Sequence, residues 1–353
     1  MILTDDMLSV ALRFRDTELW DTINETDLFA VKLSSGEIGY CCVMGAQGDH
    51  FALALYIGRQ GFSSYLRTVV DASKISSYGD LFEMSMTFDC INCDLMAAKD
   101  IDGDVKKRIK GYAAAHGLKI RRPKGWPDFV RRRPYMPEYG ITDEQDAKSI
   151  TEALLAAIEV SDAFENGREK GFKFRDVYPS RRGGMVVPLL TPMGDGKYEW
   201  STTKLPPYVE LEASPAVNYH NDIMAFKVGK LPKGPNVIAR AVYLPFPERP
   251  EGAEVPVYPM LLLLMNANNG FLLNPVQLEN TERGLLEGLD KLGNIMCDSK
   301  SKPATFIVDD DRTKSLLQDF CRKCGITLKE SKERFKDIDE AYAMFLNPMG
   351  MLE

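Results

Sequence analysis

Eleven lysines and arginines stand against a single acid, Asp128, between Val105 and Arg133. The rest of the chain carries 33 bases against 50 acids, so this segment is a positive island in a protein of net charge −7. Trp126, Phe129 and Tyr135 lie in or just beyond it, spaced by Pro123, Pro127, Pro134 and Pro137. Clustered cations attract phosphates and flat rings stack on bases, which is what holding a polyanion requires. On that chemistry Arg121, Arg122, Lys124, Trp126, Phe129, Arg131, Arg132 and Arg133 are the expected binding residues, with nucleic acid or an acidic protein surface as partner. The acidic remainder of the chain would satisfy the same charges, within one molecule or across a homo-oligomer.

A second constellation is acidic. Asp309-Asp310-Asp311 follows the apolar run ATFIV, at the place where a metal-dependent phosphodiester hydrolase of ribonuclease-H-like fold needs a carboxylate, the end of the strand after its first helix. Two-metal chemistry requires three or four carboxylates around ions roughly 4 Å apart. Glu287, Asp339 and Glu340 are available to complete such a set with Asp309 and Asp310. The first-strand position is the difficulty. The apolar strand PMLLLLM leads into Asn266, Asn268 and Asn269, amides where a charge is needed. An acid at a helix start also caps free N–H groups, which explains the triple aspartate without any metal. An inactive relative of such a hydrolase is therefore a further alternative.

Cys90-x-x-Cys93 and Cys321-x-x-Cys324 together have the ligand count of a zinc site. Helical spacing puts Leu317, Phe320, Cys321 and Cys324 on one apolar face, so packed thiols are the expectation. His50, His116 and His220 have no partner at ligand spacing, and the glycines of 39–61 match no phosphate-binding pattern. No cofactor is expected. Seven cysteines without a basic, apolar leader point to reduced thiols in a cytoplasm. The longest apolar run, Met260–Met265, is far too short to span a bilayer, so no membrane association is expected.

Elements must position these groups, and 353 residues with 44% apolar content imply two or three domains. Helical spacing runs over 5–22, with Thr4 or Asp5 as cap. Strands on either side of Ser34-Ser35-Gly36 and after Gly48 form a β-meander. A helix at 61–72, a strand at 84–93 and a basic helix at 104–116 follow; Arg121–Gly140 is Pro-rich and expected to be irregular. Thr142-x-x-Gln145 opens a helix to Phe164. Strands are expected at 222–229, 236–245, 256–265 and 270–278. A helix at 281–297, strand at 304–309, helix at 311–324, strand at 326–329 and helix at 337–346 complete the chain.

The segment from Trp20 through LFAVKLSSGEIGYCCVMGAQGDHFALALYIGRQGF, with GWPDFVRRRPYMPEYGIT, resembles an uncharacterised bacterial family of unknown function. The stretch KPATFIVDDDRTKSLLQDFCRKCGITLKES is similar to a C-terminal domain of unknown function found with it. The resemblance implies a cytoplasmic bacterial protein and transfers no catalytic residue. The fold expected is α+β: a meander with packed helices over 1–165 that includes the basic segment 105–135, an irregular or β connector over 166–220, and a mixed α/β sheet of ribonuclease-H-like element order over 221–353. The function expected is non-enzymatic binding or interaction through the basic aromatic segment.

Overall fold

Thr4 closes the extended N-terminus by accepting the Met7 N–H at 3.1 Å, and α1 (Asp5–Thr17) begins there with two acids in its first turn, where they suit the helix dipole. The structure is a computed structural model that describes residues 1–71, 78–120, 125–174, 179–210, 216–250, 254–333 and 335–346. It is α+β and divides into two units. The first comprises Met1–Ile75, Met84–Pro134 and Glu138–Leu211; the second comprises Ser76–Glu83, Tyr135–Pro137 and Glu212–Glu353. Among the described residues no helix is long and apolar enough to cross a membrane.

Unit 1 is built on one sheet. Its strands are β1 (Phe29–Lys32), β2 (Ile38–Met44), β3 (Ala52–Ile57), β4 (Cys90–Met96), β5 (Trp126–Arg132), β6 (Tyr139–Gly140), β7 (Val186–Gly194) and β8 (Lys197–Lys204). Its helices after α1 are α2 (Gly58–Asp71), α4 (Gly103–Ala115) and α5 (Glu144–Asn166); α3 (Tyr78–Ser85) groups with unit 2 as far as Glu83. The order is β6-β5-β4-β3-β2-β1-β7-β8, antiparallel except where β1 meets β7. Apolar side chains cover both faces, which is why β2 and β3 read as continuous apolar runs rather than alternating ones. Cys41, Val43, Leu53, Leu55, Ile91 and Cys93 face a core shared with α1, α4 and α5. Tyr40, Cys42, Ala54, Tyr56 and Cys90 face the opposite way, onto Phe62, Tyr65 and Leu66 of α2.

Three local expectations are corrected. The strand expected at 84–93 is helix through Ser85 and strand only from Cys90; alternation in Met84–Phe88 is too short to separate the two periods. Arg121–Gly140, expected to be irregular, contains β5 and β6. Pro127 is tolerated within β5 because β6 pairs on its outer side only at Val130 and Arg131. The α5 cap is Asp143 rather than Thr142: its carboxylate accepts the N–H of Gln145 at 2.8 Å and of Asp146 at 3.0 Å. Within 166–220, expected as an irregular or β connector, lies the β7–β8 hairpin, which extends the unit 1 sheet beside β1. Asp195 and Gly196 turn it with φ of 50° and 71°, the left-handed pair that a tight hairpin needs.

Unit 2 contains α6 (Asp222–Gly229), β9 (Lys233–Gly234), β10 (Val237–Tyr243), β11 (Met260–Asn266), β12 (Val276–Leu278), α7 (Glu282–Asp298), β13 (Lys302–Pro303), β14 (Thr305–Val308), α8 (Asp311–Cys324), β15 (Thr327–Glu330) and α9 (Lys336–Leu346). The segment 222–229, expected as a strand, is helix. Its apolar run has no clear period, but Asn221 caps it, accepting the Met224 N–H at 3.0 Å. The main sheet runs β12-β11-β10-β14-β15, with β10–β12 antiparallel and β10, β14 and β15 parallel. Lys302, 5% exposed, donates to the carbonyls of Gly229 and Cys324 at 2.8 Å each, so one cation satisfies the C-termini of both α6 and α8.

Candidate functional site

The basic segment is a sheet strand, and the strand's pleat decides what each residue can reach. Phe129 is 1% exposed and Trp126 5%, both within the core that α1, α4 and α5 close. Neither ring presents a face to a base, which corrects their expected role as stacking platforms. Arg131 turns toward α5, where its guanidinium meets Asp89 at 2.8 Å and Asp146 at 3.1 Å and donates to the Cys90 carbonyl at 3.0 Å. Arg132 turns the opposite way, onto Glu138 at 2.8 Å and over the Phe88 ring. Arg133 lies 3.6 Å from Asp146. All three arginines are thus ion-paired to acids of the same unit. Arg121, Arg122 and Lys124 lie outside the described residues. Tyr135 groups with unit 2 at φ 62°, stacked on Tyr243 with the Arg312 guanidinium 5.5 Å and 4.4 Å from the two rings. On α4, Lys106 crosses the Trp126 ring and Arg108 pairs with Asp5, whereas Lys107 and Lys110, with Lys119 just beyond, are exposed.

Beside Arg131 the sheet ends and the first turn of α5 enclose a cavity of about 290 Å³. Leu55, Ile57 and Ile91 form its apolar wall; Glu37 lines it too, and Asp89 and Asp146 pair with the Arg131 guanidinium. Asp89 and Asp146 are already paired with Arg131, and Asp146 also lies near Arg133, so the cavity combines an apolar wall with a largely neutralised polar rim. Sequence reasoning identified Arg131 but not its acidic partners, which come from β4's approach and from α5.

In unit 2 the carboxylates singled out by sequence have other occupations. Arg240 projects from β10, the central strand. Its Nε donates to Asp309 Oδ1 at 3.0 Å, one Nη closes a second bond to Asp309 Oδ2, and the other Nη bonds Asp339 on α9. Asp309 also accepts the Phe335 N–H at 2.9 Å. Asp310 caps α8: it accepts the Thr313 N–H at 2.8 Å and hydroxyl at 2.5 Å, and Thr313 in turn accepts the Ala241 N–H at 2.8 Å. Burial pushes the Asp310 carboxyl above its usual range. Both aspartates are thus engaged in hydrogen bonds within unit 2, Asp309 with Arg240 and Phe335 and Asp310 with the start of α8. The central strand of this sheet is β10, which carries Arg240, and the amides Asn266, Asn268 and Asn269 lie at and after the end of β11.

The cysteines are packed thiols. Cys90 and Cys93 lie three apart on β4 and so fall in opposite cores, while Cys321 and Cys324 line the buried face of α8. Burial pushes Cys90 up to about 12 and Cys324 up to about 11, so neither is a thiolate near neutrality. Among the described residues no group of three or more His, Cys, Asp and Glu side chains is arranged to hold a metal ion.

Residues 5–178 match the family model of a domain of unknown function, DUF7309, and residues 226–346 match that of a second, DUF6930. No curated protein and no solved structure matches the chain.

Proposed function

We propose that this chain, which joins a DUF7309 and a DUF6930 domain of unknown function, is a non-enzymatic binding protein whose C-terminal unit is an inactive relative of ribonuclease-H-like hydrolases. The sheet order of unit 2 supports the kinship: three antiparallel strands, then two parallel ones, with helices after the third, fourth and fifth. One observation carries the loss of chemistry. Where metal-dependent hydrolysis needs a carboxylate on the central strand, Arg240 extends a guanidinium that neutralises Asp309 and Asp339 itself. A fixed internal cation removes both the ligand and the reason for a metal to bind. Incubation with single- and double-stranded DNA and RNA in Mg²⁺ or Mn²⁺ is expected to give no cleavage above background. Metal-dependent cleavage that disappears in Asp309→Asn would overturn the reading.

Contact with a polyanion is a second reading, supported by the outer face of α4 and its exit rather than by β5. Lys107, Lys110 and Lys119 are exposed there, whereas Arg131–Arg133 are ion-paired. Titration with nucleic acid against salt distinguishes the two surfaces. Lys107→Gln with Lys110→Gln should lower the salt slope by about one for each phosphate no longer neutralised, while Arg131→Gln should lower stability and leave the slope unchanged. The opposite pattern would return the interface to β5. The seven free thiols support residence in a reducing compartment such as the cytoplasm.

A further inference from the structure

The cavity beside Arg131 is close to charge balance. Asp89 and Asp146 stand against Arg131 and Arg133, two acids to two bases. The third carboxylate of its lining, Glu37, rests on Gly58, the first residue of α2, so closely that a Cβ there would come within 2.5 Å of its Oε2. A helix N-terminus favours that charge. A charged guest would therefore meet no unpaired counter-charge, and the loss of its hydration would go uncompensated. The volume, about 290 Å³, lies at the lower limit of small-molecule pockets, which run from roughly 300 to 1,000 Å³.

Hydrogen bonds on the same lining are not balanced. Arg131, whose side chain is 11% exposed, engages Nε with Asp146 and Nη1 with Asp89 and the Cys90 carbonyl. Its Nη2 takes part in none of these bonds. Ser149 on α5 is 1% exposed; its Oγ accepts from Gln145 Nε2 at 3.3 Å, and no described residue accepts its own O–H. Two donors on largely buried side chains are thus left over around the cavity, a situation native folds rarely keep without a partner. Acceptors remain beside them, because the ion pairs use only Oδ1 of Asp89 and Oδ2 of Asp146. Leu55, Ile57 and Ile91 complete the lining with hydrocarbon. Spare donors and acceptors without net charge, next to an apolar wall, complement an amide: its carbonyl oxygen has two lone pairs and its nitrogen carries hydrogens.

We propose that this cavity binds a small uncharged molecule bearing an amide on a short aliphatic body. The carbonyl accepts from Arg131 Nη2 and the Ser149 hydroxyl, the N–H donates to the remaining oxygens of Asp89 and Asp146, and the body lies on Leu55, Ile57 and Ile91. The site uses neither Arg240 nor the lysines of α4, so its failure would leave both readings of function as they stand. Three probes with one branched body test it on the full chain: isovaleramide, isovalerate and isoamylamine, which are neutral, anionic and cationic at neutral pH. Saturation-transfer NMR and calorimetric titration should show saturable, millimolar binding of isovaleramide and at least about tenfold weaker binding of the two charged probes. Ser149→Ala should weaken the amide roughly three- to tenfold, the effect of one hydrogen bond, and leave Tm unchanged because alanine suits a helix. Ile57→Phe, which fills the apolar wall, should abolish binding, with thermal unfolding confirming that the variant is folded. Lys107→Gln, on the exposed face of α4, should bind as wild type. No saturable binding of isovaleramide, equal or tighter binding of either charged probe, or an affinity unchanged in Ser149→Ala or in folded Ile57→Phe would overturn the proposal.

Discussion

Arg240→Ala is expected to lower the unfolding free energy of unit 2 by about 3–5 kcal/mol, the range for breaking a buried ion pair by removing one partner. The side chain of Arg240 is 10% exposed and that of Asp309 3%, so alanine would leave the carboxylate dehydrated with only the Phe335 N–H for company. Asp339, a third exposed, is open to water and loses less. The cost is therefore dominated by the stranded charge of Asp309. Two further variants separate that charge from packing. Arg240→Lys keeps the cation but not the planar fork that holds Asp309 with two bonds, and should fall between wild type and alanine. Arg240→Met combined with Asp309→Leu removes both charges and should lose less than Arg240→Ala alone, as buried pairs replaced by apolar groups usually do. Urea denaturation followed by circular dichroism measures all three. A loss below about 1 kcal/mol for Arg240→Ala would mean that the pair behaves as an exposed contact, and the picture of an internal cation would fail.

Why Arg240 escaped the sequence while Asp310 did not is a matter of range. Asp310 acts on Thr313, three residues on, and a helix-start acid before an amphipathic run is a local pattern. The partners of Arg240 lie 69 and 99 residues away, and nothing within VIARAVY announces them. Elements with local punctuation were legible for the same reason, as with Thr4 before α1. Elements whose identity depends on pairing were not. The β5 strand looks broken because two prolines flank its aromatic residues. It is strand because β4 pairs with it from Cys90 to Met96. The acidic groups that ion-pair Arg131 and Arg132 were present in the composition as a bare surplus of acids, but which acid meets which base is fixed only by the sheet order. The charge island at 105–133 was real; its β5 arginines are spent on the protein's own acids.

Phe129→Ala is expected to cost about 3–5 kcal/mol of stability and to leave affinity for nucleic acid unchanged. The ring is 1% exposed, its strand partner is Cys93, and its surroundings are the apolar faces of α1, α4 and α5. Truncation there opens a cavity in a core held from both sides by helix and sheet, where relaxation is small. A ring that stacked on bases would show the converse, losing about 1–3 kcal/mol per base in binding and little in folding. Phe129→Leu, nearly volume-conserving, should cost less than about 1.5 kcal/mol and guards against the alanine variant being too unstable to titrate. Trp126 offers a contrast within the same strand. Its Nε1 is buried with no hydrogen-bond partner among the described residues, so Trp126→Phe removes an unsatisfied donor along with some packing area and should come out close to neutral. Chemical denaturation and fluorescence anisotropy on the same preparations read both quantities. A fall in nucleic-acid affinity with unchanged stability in Phe129→Ala would place the ring on the surface and restore β5 as the interface.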